Sequence, residues 1–440
     1  MNVKRSTGLA AAAAVLTAAM LRAASADTLA DFLTQGSFSG QLRAYYFRRD
    51  YATPTVVNAN AFAVGGLFNY ETARFLDGFS VGVSFFTANA LDTHASNPAA
   101  IDTTLVGKAN SINSLGQAFL QYDGHGLLVR VGNQLVTTPW ANPSDARVIP
   151  ATYQAAYASF TPTTGLTLEA LRILRYKGRT ADDYFKDNNY YPATWDGDAN
   201  YGGTSNLPAT APATNGTAAF GIDYAAAGLQ STAWYYHFYD FAQMLYAQAQ
   251  ETLPLASPVK PFAGAQAVRE WGGSNIFAAT GTHFFGQPGT SVDNLTLGGV
   301  AGLKAYGATL SVAYDRLESR GADALGGGVL ISPYTASYAT DPLFTSSMIR
   351  GMVELGPGSS WKVAASEQAF GKELTVTASF AEYRTDFSGN DSETYFDVIY
   401  LPPGWLQGLS LRNRLEVGNG RVNPGKRHFV YNRLMVAYSF

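Results

Sequence analysis

R-L-M-V-A-Y-S-F, residues 433–440, is the stretch from which the fold can be read. Leu434, Val436, Tyr438 and Phe440 fall on one face of an extended strand, and Arg433, Met435, Ala437 and Ser439 fall on the other, because side chains alternate with a period of two. In a soluble sheet the apolar face would meet a core. Here Tyr438 and Phe440 crowd the strand end and a bare aromatic residue closes the run. That is where a bilayer interface holds aromatic rings. The strand therefore reads as a membrane strand, apolar toward lipid and polar toward water.

The opposite end agrees. Lys4 and Arg5 precede a short apolar run over 9–21, and Ala24-Ser25-Ala26 supplies an A-x-A cleavage site. Residues 1–26 are expected to be a secretory signal peptide cleaved after Ala26. The apolar run is shorter than the roughly 20 residues a spanning helix needs. Residues 27–440 are expected to form a single outer-membrane β-barrel domain. Loss of Lys4, Arg5 and Arg22 leaves 27 basic against 33 acidic residues, a net charge of −6 that argues against nucleic acid as a partner. There are no cysteines, so disulfide frameworks and thiolate metal chemistry are excluded. Only 14% of residues are charged while Tyr and Phe each occur 26 times, a balance that suits strands with one lipid face and one watery face. The closing strand itself resembles the carboxy-terminal signature of outer-membrane barrels, which implies recognition of the Phe440 strand by the barrel assembly machinery.

Amphipathic segments of about ten residues recur along the chain, the length a tilted membrane strand needs. Phe79, Val81, Val83 and Phe85 alternate with Ser80, Gly82 and Ser84, and Leu127, Val129 and Val131 with Leu128, Arg130, Gly132 and Gln134. This pattern places strands near 37–50, 59–71, 79–88, 115–122, 127–134, 152–160, 166–176, 217–224 and 230–239. Others follow at 244–250, 261–270, 296–306, 307–316, before Phe370, and at 374–384, 393–400, 408–417 and 428–440, for 18 in all. Short turns (161–165, 225–228, 402–408) take turns with long loops (177–216, 316–343), which matches short periplasmic turns and longer extracellular loops. Residues 348–355 and 361–370 both look strand-like around Gly356-Pro357-Gly358. Counting both would put the termini on opposite sides of the membrane, so 348–355 is assigned to a long external loop.

The candidate functional stretch follows Gln134: L-V-T-T-P-W-A-N-P-S-D-A-R-V-I-P. Trp140 is large and apolar, and Asp145 and Arg147 put opposite charges two residues apart. A loop folded into a wide barrel narrows it, and a fixed Asp/Arg pair there would sort solutes by charge. The bland alternative is a surface ion pair worth little. Alternation also assigns Arg43, Arg130, Arg412, Arg414 and Arg433 to polar strand faces. An arginine facing lipid at mid-bilayer costs about 2–4 kcal/mol, so the lumen is the default, with rim positions binding headgroup or lipopolysaccharide phosphates as the alternative. Leu171-Arg172-Ile173-Leu174-Arg175 breaks the alternation, and one of its arginines needs a bulge or a rim position.

Arg130-Val131-Gly132-Asn133-Gln134, Ser144-Asp145-Ala146-Arg147-Val148-Ile149-Pro150 and Gly165-Leu166-Thr167-Leu168-Glu169-Ala170 together resemble the OprD family of substrate-selective outer-membrane porins. The resemblance implies an 18-stranded antiparallel barrel, monomeric or loosely trimeric. It implies a third external loop folded into the lumen and a ladder of basic residues facing acidic groups across a constriction. It also implies passage of small carboxylate-bearing solutes. Arg147 stands where the family's S-R-x-x-P loop arginine stands, with Asp145 and Ala146 interrupting that pattern.

Catalysis has little to stand on. His94, His125, His237, His283 and His428 show no metal-ligand spacing. His94-Ala95-Ser96 lies in a polar loop with nothing to hold a dyad. Asp182, Asp183 and Asp187, with Asp196 and Asp198 beyond, could bind a divalent cation, though such clusters are usually solvated loops. No cofactor is expected. The sequence thus points to a non-enzymatic porin of a Gram-negative outer membrane passing small polar solutes. A barrel carrying hydrophobic or aromatic compounds, or a soluble secreted β-rich binding protein, stands as the alternative.

Overall fold

The computed structural model describes residues 28–107, 109–191, 207–208, 210–273, 276–277, 289–336, 339–386, 389–420 and 428–440. The signal peptide, Asp196, Asp198 and His283 lie outside them.

Eighteen strands form one closed antiparallel sheet in chain order. They are β1 (Ser37–Tyr51), β2 (Ala59–Glu71), β3 (Phe79–Asn89), β4 (Ser111–Gly124), β5 (Leu127–Gln134) and β6 (Thr152–Thr163). β7 (Leu166–Lys177), β8 (Thr217–Ala226), β9 (Leu229–Phe238), β10 (Ala242–Thr252), β11 (Lys260–Gly273) and β12 (Ser291–Ala305) follow. β13 (Ala308–Ser319), β14 (Gly358–Ala369), β15 (Leu374–Thr385), β16 (Gly389–Tyr400), β17 (Leu409–Asn419) and β18 (His428–Ser439) complete the ring. The seam runs from Gln41 opposite Ser439 to Tyr51 opposite Phe429. Phe440 seals its lower end by exchanging both backbone hydrogen bonds with Gly40 at 3.0 Å, its ring against Phe38 and Phe68. A closed sheet leaves no unpaired edge, which lipid cannot tolerate.

Alternation decides which face is which. Leu42, Val83, Phe85, Leu120, Phe220, Leu297, Val312 and Leu434 point outward and are exposed, while their chain neighbours are buried or half-buried inside. Trp405, Tyr306 and Phe370 in the short connections are 91%, 84% and 73% exposed, an aromatic girdle at one barrel end. A short helix, α1 (Leu29–Thr34), capped by Thr28, lies across that end, with Phe32 edge-on to Phe75. The opposite end carries the long connections, although two of them, 239–241 and 386–388, are as short as turns. Residues 348–355 form no strand, and the two termini therefore share the short-turn side.

The packed core lies inside the barrel. Trp234, Tyr236 and Phe238 stack up the inner face of β9 with ring separations of 5.5 and 5.4 Å. Gly221 opposite leaves the room Trp234 needs, since a Cβ there would meet the indole at 2.2 Å. Against this wall pack Leu325, Val329, Leu330, Ile331 and Met352 of the 320–357 loop. Four inward carboxylates hold that loop. Glu270 accepts from Ile331 N (3.1 Å), Asp315 from the amide and hydroxyl of Thr345 (2.9 and 2.6 Å), Glu416 from Met348 N (2.9 Å), and Glu393 from Ser347 and Arg350. Four separate wall residues thus hold the loop by hydrogen bonds to its backbone and side chains.

Candidate functional site

The arginines assigned by alternation come together on one arc of the inner wall. Arg43 on β1, Arg433 on β18, and Arg412 and Arg414 on β17 occupy adjoining strands, with Arg433 in register with both Phe47 and Arg414. They reach this arc because each shares the inward parity of buried neighbours such as Tyr45, Tyr431 and Glu416. Arg130 also faces inward but stands apart on β5, bonded to Gln121 and 4.2 Å over the Phe119 ring.

Arg43 is almost wholly enclosed. Its guanidinium forks onto Asp145 at 2.5 and 2.8 Å, and Nη1 also reaches the carbonyls of Arg147 and Val148 at 2.9 and 3.2 Å. Nε donates to Gln41 at 2.5 Å, and Gln41 in turn to Ser439 at 2.9 Å. The two-residue spacing of Asp145 and Arg147 suggested a local pair; instead Asp145 grips a residue 102 positions away. Asp145 keeps 13% side-chain exposure.

Arg147 is buried, its guanidinium 5.1 Å over Phe47, in the same aromatic group that Arg433 covers at 5.2 Å from Phe47 and 4.2 Å from Tyr431. Arg49, which shares the inward parity of Arg43 on β1 though only Arg43 was named from the sequence, forks onto Asp102 in the 90–110 loop at 3.0 and 3.3 Å and donates to Tyr431 at 3.3 Å. Burial pushes the Asp102 carboxyl up, but Arg49, the Thr104 hydroxyl and Arg147 outweigh burial and hold it below its ordinary value.

Arg412 and Arg414 are arranged differently. Arg412 forks onto Asp397, with Nε at 2.8 Å. Arg414 shares that carboxylate at 3.8 Å and donates to the Tyr395 hydroxyl at 2.9 Å, which itself donates to Asp397 at 2.7 Å. Two guanidiniums thus meet one carboxylate, and they keep 18% and 14% side-chain exposure.

Trp140 is elsewhere. It is fully buried on the far wall, its amide 3.3 Å from the Tyr236 hydroxyl and its ring edge-on to Tyr246 at 6.0 Å. It serves as an apolar anchor for its loop and does not join the arginines. Asn142 in the same loop donates to Thr340 O at 2.9 Å. The 135–151 loop therefore touches β1 at one end and β9 and β10, on the opposite side of the ring, at the other. Arg350 on the 320–357 loop, also unforeseen, bonds Glu393 at 3.0 Å and approaches Asp391 at 3.6 Å. The acidic wall residues could have been found by the same parity test that found the arginines. Their loop partners could not, because those contacts cross the lumen between segments far apart in sequence.

Asp182 and Asp183 are exposed whereas Asp187 is buried, and among the described residues no three acids or histidines converge as metal ligands.

A closed 18-stranded barrel with a polar, charge-lined interior and an apolar outer band is a transmembrane porin in architecture. Residues 30–324 match the family model for "outer membrane porin, OprD family", and the chain belongs to that family. Its members are porins of Gram-negative outer membranes and not enzymes. Among solved structures it is similar to a BenF-like porin from Pseudomonas fluorescens Pf-5, with TM-score 0.73 and 17% identity over 93% of this chain and 99% of that one. OpdK of Pseudomonas aeruginosa, solved with vanillate, gives TM-score 0.69 and 16% identity, with 93% and 99% coverage. OccK2 (OpdF) of the same species, in complex with glucuronate, gives 0.70 and 17%, with 93% and 97%. None of the curated proteins compared with this sequence matches it.

Proposed function

We propose that this barrel gives passive, selective passage to small solutes carrying a carboxylate, along the wall formed by β1, β18 and β17. The observation that carries the reading is the Arg412–Arg414 pair sharing Asp397. One positive charge there lacks a full carboxylate partner and remains open to water. A guanidinium offers a bidentate fork to a carboxylate and stays charged at any working pH. Held partly in place by Asp397, it replaces some of the solute's hydration without trapping it, as conduction requires. The 135–151 loop, anchored by Trp140 and clamped by Asp145 to Arg43, narrows the lumen. Arg147 and Arg433 add positive potential over Phe47 and Tyr431, and Arg130, apart on β5, adds a separate positive charge nearer the short-turn side.

The long loops then face outward from the cell, and the leader is removed after Ala26. The protein works as a monomer or loose trimer, with the Phe440 strand as the mark read during barrel assembly. The neighbours solved with vanillate and glucuronate, both ring-bearing carboxylates, favour the same solute chemistry. A barrel for purely hydrophobic compounds fits less well, since the open part of this wall is made of guanidiniums.

The test is the zero-current potential across a planar bilayer under a gradient of a small carboxylate salt, in the wild type and in Arg412→Ala/Arg414→Ala. A shift toward cation selectivity, with slower carboxylate uptake into liposomes, supports the reading. Unchanged selectivity and uptake would refute it.

A further inference from the structure

The outer wall near the long-loop end carries its own arginines, and they fall into two groups. Arg48, Arg269, Arg316 and Arg384 point away from the lumen, each beside a carboxylate: Asp50 at 2.9 Å, Asp293 at 2.5 Å, Glu318 at 3.5 Å and Glu382 at 2.6 Å. Arg172, Arg175 and Lys186 have no such partner among the described residues. These three instead line one outward cavity of about 320 Å³ with Gln154, Thr214 and Asn215.

Of the two alternatives left open by the broken alternation, the bulge builds this site. Gln154 pairs with Arg175 and Ala155 with Ile173, so Leu174 is an extra residue in the ladder. Ile173 and Tyr176 stay buried inside, and both residues between them turn outward, which brings Arg175 onto the face already occupied by Arg172. Arg172 is fixed in place. Its Nη1 donates to the carbonyls of Ile173, Asn215 and Thr217 at 2.6, 2.9 and 3.2 Å, and its guanidinium lies 4.8 Å over Tyr239. Those bonds leave its Nε and Nη2 edge for another acceptor. Arg175 and Lys186 are exposed around it. Asn215 in turn donates to the carboxylate of Asp240 at 3.4 Å. Just below, on the same outer face, Phe220, Ile222 and Leu168 are exposed and apolar.

We propose that this cavity binds a phosphoryl group of the phosphorylated glycolipid in the outer leaflet, with the lipid's acyl chains lying along Phe220, Ile222 and Leu168. The proposal rests on the long loops facing outward, as argued above, but not on the solute the pore carries. Arginine and lysine together suit phosphate, the one by a planar fork and the other as a mobile point charge. Three cations with no carboxylate bonded to them among the described residues, at the level where the apolar band ends, need a counter-charge, and the membrane surface supplies it.

The test measures lipid retained per folded barrel after mild detergent extraction, by native mass spectrometry, with bisphosphorylated lipid A, dephosphorylated lipid A and inorganic phosphate as probes. Arg175→Ala/Lys186→Ala is compared with Arg384→Ala, which removes an already paired arginine. Both sites are exposed, and the heat-modifiable gel shift checks folding. Should the double variant misfold, the single Arg175→Gln and Lys186→Gln proteins replace it. Phosphorylated lipid retention is expected to drop about tenfold or more in the double variant, to stay unchanged in Arg384→Ala, and to be equally poor for the dephosphorylated lipid. Equal retention by wild type and variant overturns the proposal. So does equal retention of dephosphorylated lipid, which would assign binding to the apolar band. Inorganic phosphate binding as tightly as the lipid overturns it too, by making this a free-anion site.

Discussion

Replacing Arg43 with Met tests the clamp on the 135–151 loop. The methionine keeps much of the side chain's length but removes the fork onto Asp145 and the bonds to the carbonyls of Arg147 and Val148. Breaking a buried ion pair from one side costs about 3–5 kcal/mol, because the remaining charge is left without compensation. Asp145 retains some exposure and can rehydrate once released, so the lower end, about 3 kcal/mol, applies. Little of this should appear as loss of the barrel, whose ladder does not depend on Arg43's side chain. It should appear as a shift of the loop away from β1, on the order of a hundredfold in the docked-to-undocked ratio. Single-channel recording of Arg43→Met should then show larger and noisier openings with weaker discrimination among carboxylates. Arg43→Lys, which keeps charge but loses the fork, should fall between. Wild-type conductance and selectivity in Arg43→Met would show that the clamp does not set the pore and that Trp140 alone positions the loop.

Trp140→Ala should cost about 3–5 kcal/mol locally, and is checked by protease cleavage within 135–151 in a barrel that still shows its heat-modifiable shift. Asp187 is buried in the 178–216 loop with neither carboxylate oxygen bonded to another described residue, and burial pushes its pKa up to about 7. A carboxyl raised on folding stabilises the packed state below its ordinary pKa, and that contribution is lost as pH rises toward 7. Loop cleavage should therefore rise between about pH 5 and 7.5 in the wild type and stay flat in Asp187→Asn, and a flat wild-type profile would remove the argument. Deleting Phe440 removes the pair of backbone bonds to Gly40 and the contacts with Phe38 and Phe68. The yield of folded barrel after expression should fall severalfold, measured by the heat-shifted band.

The strands were legible because a bilayer enforces alternation more strictly than a soluble core does. Val81, Val83 and Phe85 could face only lipid, and Ser80, Gly82 and Ser84 only the interior. The ends were less clear. β4 starts at Ser111, several residues before the alternation becomes obvious, because Ser111 and Asn113 pair with β3 above the apolar band. The arginine arc was legible for the same reason as the strands, since parity alone sends Arg43, Arg412, Arg414 and Arg433 inward. Parity says nothing about which of them stay open. Arg43 is consumed by Asp145 and Arg412 forks onto Asp397, while Arg414 only shares that carboxylate, and only the fold brings Asp145 to β1. Trp140 looked like a pore residue because the loop was read as one unit, whereas its two ends dock on opposite walls. The carboxylates Glu270, Asp315, Glu393 and Glu416 carry ordinary strand parity, but their task of holding the 320–357 loop is written in contacts that no local pattern encodes.

The position of the seam has a further consequence. Arg43 and Arg433 sit on the first and last strands, which meet only when the ring closes, and the loop clamp through Asp145 needs β1 in its final place. An unclosed sheet would carry the same residues without the arc they make together. On the proposed reading, the selectivity this arc confers is therefore absent from any partly zipped intermediate and arises in the same event that completes the wall. A lesion in the final eight residues would strike assembly and discrimination at once, and a mutant that closes slowly would yield fewer working pores, each with normal preference, in place of many faulty ones.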